Sequence, residues 1–348
     1  MDKQLPAQRI AWVDFAKGIV IILVVLGHTI PLKTDLSKFI FVFHMPFFFI
    51  MAGFLLNLDK WGGVKNYKTF VSKLVKRLLL PYYLAEFLYY PFWFIVCYKL
   101  EYLRYMWGWT NENPLFAFVE IFIGNANPGA GLILGQLWFL PALFWTEIIF
   151  IKLFNYLNKL GADVFVLTIV SCSFLGIFIG KIHALPLGID IALAAQIFVL
   201  VGVLIRKYAV VNRMNLKICV VLMLLLVLSF SLNIRFDMNY RNYGDLFLSY
   251  SGAMTGTLII MKLSILMKNG KIFSLISDCG RQSMMILILH LLFAGIFYEI
   301  IAATTNFPPK EFLTNPIIIF GATLFGVLIP LFIAKKFGQL PVLKYFCV

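Results

Sequence analysis

The first long apolar stretch of this 348-residue chain contains three ionisable residues, Asp14, Lys17 and His28. An ionisable side chain in hydrocarbon costs about 3 kcal/mol or more unless it is paired or hydrated, so each is a candidate for function. Lys17 and His28 lie eleven positions apart. At about 100° per residue this spacing returns to within roughly 20° of one helix face, with a rise of about 16 Å. Asp14, three residues before Lys17, falls on the same side and could hold Lys17 charged. The pattern predicts one helix carrying a polar stripe from one membrane edge towards the other. Asp14 and Lys17 also fit simple snorkelling to the interface. His28, deeper in LGHTIP, has the residue type for proton transfer near neutral pH; a passive hydrogen-bonded histidine is the bland alternative.

His44 opens the next apolar stretch, in FVFHMPFFFIMAGF. The connection between the two stretches is short, so they should form a hairpin with His28 and His44 towards the same end. Two histidines sharing a pocket could do acid–base work; His44 could equally make a structural hydrogen bond. The small pair Ala52-Gly53 suits close helix packing. Lys73, Lys76 and Arg77 recur on one face of the following stretch. Such a cluster can hold phosphates, and it is also what a cytoplasmic loop needs for topology alone. Glu86, Glu147, Asp190, His290 and Glu299 are further polar residues in apolar surroundings.

The elements that must position these groups follow from composition. The chain is 61% hydrophobic and only 13% charged, against about half and a quarter in soluble domains. That excludes a disordered chain, a nucleic-acid-binding domain and an ordinary soluble enzyme. Apolar runs of roughly 20 residues cross the hydrocarbon core as helices. Ten are read here, at 10–32, 38–57, 78–98, 133–154, 163–181, 186–206, 216–234, 246–267, 283–304 and 313–335. With the N-terminus placed in the cytoplasm, 21 of the 30 Lys and Arg fall on the inner side and eight on the outer. This asymmetry predicts both termini inside and accounts for the net charge of +14 without a nucleic-acid partner. Asp14 and Lys17 interrupt the first stretch, and no small-residue cleavage site follows, so it is read as an uncleaved span. The five cysteines form no CxxC and no zinc spacing, so no metal site is expected. The expected fold is an all-α polytopic membrane protein of about ten helices, with a single domain over 1–348. The outer loop 99–131 is expected to form a rim.

Five stretches resemble the membrane-bound acyltransferase family 3, in particular the branch related to fucose 4-O-acetylases. They are WVDFAKGIVIILVVLGHT (12–29), FVFHMPFFFIMAGF (41–54), KLVKRLLLPYY (73–83), LWFLPALF (137–144) and RQSMMILILH (281–290). They run in family order. The resemblance implies transfer of an acyl group, commonly acetyl, from cytoplasmic coenzyme A to a sugar hydroxyl. The acceptor would be a cell-surface glycan or its lipid-linked precursor. It implies no permanently bound cofactor, with acyl-coenzyme A as co-substrate, and a multi-pass protein of a bacterial cell membrane. The family pairs a basic residue with a histidine after ten intervening positions, matched here by Lys17 and His28. Arginine is common at the first position, so lysine keeps the charge without the planar fork. The family's basic motif at the third span is matched in spacing by Lys73 and Lys76, with Arg77 adjacent. Many members have a serine where this chain has Ala52, so no catalytic hydroxyl is assigned there.

On this basis His28, Lys17 and Asp14 are the catalytic candidates, with His28 as general base or acyl carrier. Lys73, Lys76 and Arg77 are the coenzyme-binding candidates. His44, Trp138, Glu147 and His290 are candidates to line the substrate site. A transporter or flippase of an envelope glycan precursor is the alternative from another class, because intramembrane charges also mark transport pathways. A structural subunit of an envelope-assembly complex is a third, which leaves the Lys17–His28 face without a role.

Overall fold

The computed structural model describes residues 10–62, 66–95, 113–125, 133–233, 235–267, 269–305, 312 and 314–347. In chain order its main helices are α1 (Ala11–Thr29), α2 (Asp35–Leu55), α3 (Tyr67–Leu74), α4 (Leu80–Ile95), α5 (Pro114–Ile123), α6 (Phe139–Leu157) and α7 (Ala162–Ile182). They continue with α8 (Ile189–Ala194), α9 (Gln196–Lys207), α10 (Leu216–Leu232), α11 (Leu246–Leu266), α12 (Lys271–Arg281), α13 (Ser283–Thr304) and α14 (Pro316–Phe337). Among the described residues the strand content is one isolated bridge between Asp237 and Asn242. The protein is an all-α, multi-pass membrane protein.

Seven described helices are long and apolar enough to cross a bilayer, and an eighth span results if the bent pair Pro186–Ala194 and Gln196–Lys207 counts as one. Helix also occupies the two remaining expected stretches, but α4 has 16 residues and α10 has 17. Leu167, Phe178, Leu224 and Leu228 stand exposed along α7 and α10. Such faces need a lipid neighbour. The expected rim at 99–131 lies largely outside the described residues.

Local chemistry sets where the helices begin. Thr34, Asn215, Asp245 and Asn315 cap α2, α10, α11 and α14, each accepting a backbone N–H of the first turn. Such caps satisfy donors that a helix start leaves unpaired. Small residues set how closely helices pack. A Cβ on Gly53 of α2 would stand 2.0 Å from the Val199 carbonyl oxygen of α9, which is the close approach the Ala52-Gly53 pair predicts. α12 lies across α1 even more tightly. A Cβ on Gly18 would meet the Ile276 oxygen at 1.8 Å, and one on Gly280 the Asp14 oxygen at 1.7 Å. This crossing brings Arg281, at the end of α12, beside the Lys17 face of α1.

Candidate active site

Residues 17, 21, 24 and 28 of α1 repeat at helical spacing, and all four border cavities. From Lys17 to His28 the predicted face forms one wall shared by the two cavities, polar at its ends and apolar at Ile21 and Val24, without Asp14. Lys17 and Ile21 border a cavity of about 240 Å³, named inner after the sidedness expected from the charge distribution. His28 borders an outer cavity of about 100 Å³. Val24 borders both. α2 supplies a matching wall: Met45, Phe48, Ala52 and Leu55 face the inner cavity, and Phe41, His44 and Met45 the outer one. Leu140, Leu143 and Glu147 of α6 and Met284 and Leu287 of α13 complete the inner space.

At the outer end His28 Nδ1 lies 2.8 Å from His290 Nε2, with the ring planes 12° apart. His290 Nδ1 is 3.0 Å from the Ile286 oxygen and 2.9 Å from the Leu287 oxygen. Carbonyl oxygens only accept, so His290 Nδ1 carries hydrogen. In a neutral imidazole its Nε2 must then accept, and His28 Nδ1 donates to it. The remaining nitrogen, His28 Nε2, carries the lone pair. Buried His290 thus fixes the tautomer of partly exposed His28. His44 also borders the outer cavity, and its Nδ1 sits 3.0 Å from the Ile40 oxygen, which leaves a lone pair on its Nε2 as well. Phe41 packs edge-on against His44 at 4.6 Å. The two histidines expected near one another do share a cavity.

Trp138 borders the same cavity from the 3₁₀ turn Gly135–Trp138. So do residues the sequence reading did not single out. Gln136 is buried, and its Nε2 donates to the Ile288 oxygen at 3.3 Å. Its Oε1 has no partner among the described residues. Arg235, Asp237 and Tyr240 come from the turn between α10 and α11. Arg235 donates to Asp237 at 2.5 Å, and its guanidinium lies over the Phe41 ring at 4.5 Å. Burial pulls the Asp237 carboxyl above its usual range, against the neighbouring Arg235 charge that holds it down.

This turn is locked in place. Asp237 and Asn242 exchange backbone hydrogen bonds at 2.8 and 3.0 Å, and Arg241 at its apex takes a left-handed φ of 53°. The buried Arg241 guanidinium forks onto Asp190 at 2.8 and 3.1 Å. Asp190, a candidate polar residue in the sequence, is therefore the anchor of the outer turn. The only signal for this turn was its R-x-D-x-x-x-R pattern between two spans.

The inner end is cationic and more open. Lys17, Arg77 and Arg281 border its cavity. Arg77 reaches it because the helix changes pitch. A π turn, Val75–Leu79, joins α3 to α4. It breaks the face that Lys73, Lys76 and Arg77 would share on a regular helix. Arg77 donates to buried Glu147 on α6. Lys73 instead lies 4.9 Å over the Trp61 ring, and Trp61 borders the cavity. Lys76 is exposed and does not border it. Of the three predicted coenzyme ligands only Arg77 meets the cavity directly. Arg281, present in the RQSMMILILH stretch but not assigned a role, takes a place beside it. Asp14 is buried at the α1–α12 crossing and borders neither cavity. Glu86 is buried elsewhere, with Oε2 accepting from Leu134 N–H at 3.4 Å.

The arrangement defines a membrane protein with a cationic inner chamber and a histidine-bearing outer one, on a shared wall. The chain matches acyltransferase family 3, described as an acyltransferase domain, over residues 10–335, and it belongs to that family. It is a membrane acyltransferase. No curated protein and no solved structure matches the chain.

Proposed function

We propose that the protein moves an acyl group, acetyl in the first instance, from cytoplasmic acyl-coenzyme A to a hydroxyl of a cell-surface glycan or its lipid-linked precursor. The observation that carries this reading is the directed hydrogen-bond chain from the α13 carbonyls through His290 to His28, which leaves a lone pair on His28 in the outer chamber.

The donor's phosphates sit at the inner mouth, where Lys17, Arg77 and Arg281 border the cavity and bring positive charge, and its pantetheine arm follows the α1 wall. Charge-assisted contacts suit phosphate better than any neutral set. The acceptor hydroxyl lies in the outer chamber. His28 Nε2 removes its proton as the oxygen attacks the thioester carbon. The C–O bond forms, the C–S bond breaks, and the coenzyme thiolate takes the proton back from His28. His290 orients the ring and stabilises the transient imidazolium. Lys17, about 16 Å along the helix from His28, acts on the donor rather than on the base. Asp14 supports Lys17 from the crossing with α12. His44, Trp138 and Glu147 are placed as chamber residues: the first two beside the acceptor, the third through its hold on Arg77. With the N-terminus in the cytoplasm, both termini and the cationic mouth lie on the donor side.

General-base help of this kind is worth roughly 10²–10⁴ in rate. Purified protein in lipid, given radiolabelled acetyl-coenzyme A and an envelope-glycan extract, should label the glycan. His28→Ala should reduce that labelling by the same factor while still inserting and binding donor. Wild-type transfer by a well-expressed His28→Ala protein would discard His28 as the base.

A further inference from the structure

Three side chains border both chambers: Val24, Met45 and Leu287. All three are buried and apolar. Their places in the fold are related. Val24 precedes His28 by four residues on α1, Leu287 precedes His290 by three on α13, and Met45 follows His44 on α2. Each therefore stands about one helical turn or less from a histidine of the outer chamber, and Val24 lies about 6 Å along α1 from His28. The Lys17-to-Val24 stretch of the same wall rises about 10 Å.

We propose that Val24, Met45 and Leu287 form an acyl-selecting neck between the donor and acceptor chambers, which admits the donor's acyl end by its width. The proposal rests on the donor reading given above. A thioester entering from the cationic mouth presents its acyl end first, and the carbonyl reaches His28 only after that end has passed the three side chains. The neck is apolar, so it favours an acyl chain and disfavours water, as hydrophobic constrictions do. Met45 has an unbranched, adaptable side chain that can give way to a slim group. Val24 is branched at Cβ and stiff. Beyond the neck the outer chamber is the smaller of the two, about 100 Å³ against about 240 Å³, and the acceptor must share it. Width is set by the three side chains that stand beside the passing acyl end: a straight butyryl chain passes where an isobutyryl group of the same carbon number is refused. A methyl branch that meets the neck wall is a change on the scale of one carbon in an apolar site, which discriminates about 10- to 200-fold.

The test is a donor competition. Wild type, Met45→Ala, Leu287→Ala and Val24→Phe, each in lipid, receive equal acetyl-, butyryl- and isobutyryl-coenzyme A with the glycan extract. Mass spectrometry reads the acyl groups transferred, and a separate measurement reads acyl-coenzyme A binding. Wild type should prefer butyryl over isobutyryl, and both Ala variants should raise the isobutyryl-to-butyryl ratio about ten-fold or more. Val24→Phe should lose transfer of all three donors while still binding them at the inner mouth. Unchanged ratios in both Ala variants, or undiminished transfer by Val24→Phe, would overturn the neck while leaving the acyltransferase assignment standing. A wild-type protein that transfers none of the three donors would overturn both readings, and donor binding would separate that outcome from a misfolded preparation.

Discussion

The two ends of the site are built on opposite principles. The outer end is held by neutral hydrogen bonds, a forked buried ion pair and a closed turn. The inner end relies on cations that remain partly in water. Arg77 is 47% exposed although its partner Glu147 is buried, and Arg281 is 37% exposed beside Asp278, which also meets Lys335. The contrast suits the two tasks of the proposed mechanism. Proton transfer needs a base fixed within a fraction of an ångström. Capture of a large, flexible polyanion needs charge and access more than fixed geometry.

The most severe test of the rigid end is Arg241→Ala. It leaves the Asp190 carboxylate buried without its fork, and breaking a buried pair in this way costs about 3–5 kcal/mol. Thermal unfolding in detergent should show the loss. Restoring a matched apolar pair, Arg241→Met with Asp190→Leu, should recover most of it, because neither desolvated charge then remains. If the single variant melts with the wild type, the outer turn is not pinned as described, and the comparison between the two ends collapses.

A smaller effect is expected from His290→Phe. The ring, expected to line the substrate site, is buried and borders neither cavity, so its loss should lower kcat about 10²-fold through misorientation of His28, with donor KM little changed. His290→Gln can present a carbonyl oxygen to His28 Nδ1–H and should recover part of the rate. A merely structural role would move stability in both variants together and leave kcat unrelated to whether an acceptor atom is present.

The histidine chamber was largely legible in the sequence because helical periodicity carries it. Lys17 and His28 fall on one face by arithmetic, and the short hairpin brings His44 to the same end. The His28–His290 bond was not legible, because 262 positions separate the partners and no local rule pairs α1 with α13. The basic cluster was legible as charge but not as a shared face. Spacing assumes a regular helix, whereas the π turn at Val75–Leu79 turns Arg77 towards Glu147 and leaves Lys76 outside. Arg281 was visible only as a topology charge, since its place depends on the crossing of Gly18 and Gly280, and the Arg235–Arg241 turn showed only its residue pattern, since its anchor Asp190 lies 51 positions from Arg241. The ten apolar stretches were clear in the sequence, and helix occupies each of them among the described residues.

The least severe expected effect lies at the inner mouth, and it sharpens the contrast most directly. Arg77→Gln and Arg281→Gln each remove one partly hydrated cation. A partly exposed cation contributes about 0.2–1 kcal/mol, so each should raise the KM for acetyl-coenzyme A only about two- to five-fold, with kcat nearly unchanged; Arg77→Gln should also lower thermal stability, because it leaves buried Glu147 without its cation. Salt screens exposed charges, so raising the ionic strength should weaken donor capture by the wild type and shrink the difference between wild type and either variant. The same salt series should leave the kcat deficit of His290→Phe unchanged, because that deficit arises from a buried neutral hydrogen bond. A large kcat loss in Arg77→Gln that salt does not affect would show that the inner cation is itself fixed against the reacting atoms. The division into a hydrated capture end and a rigid chemical end would then be wrong.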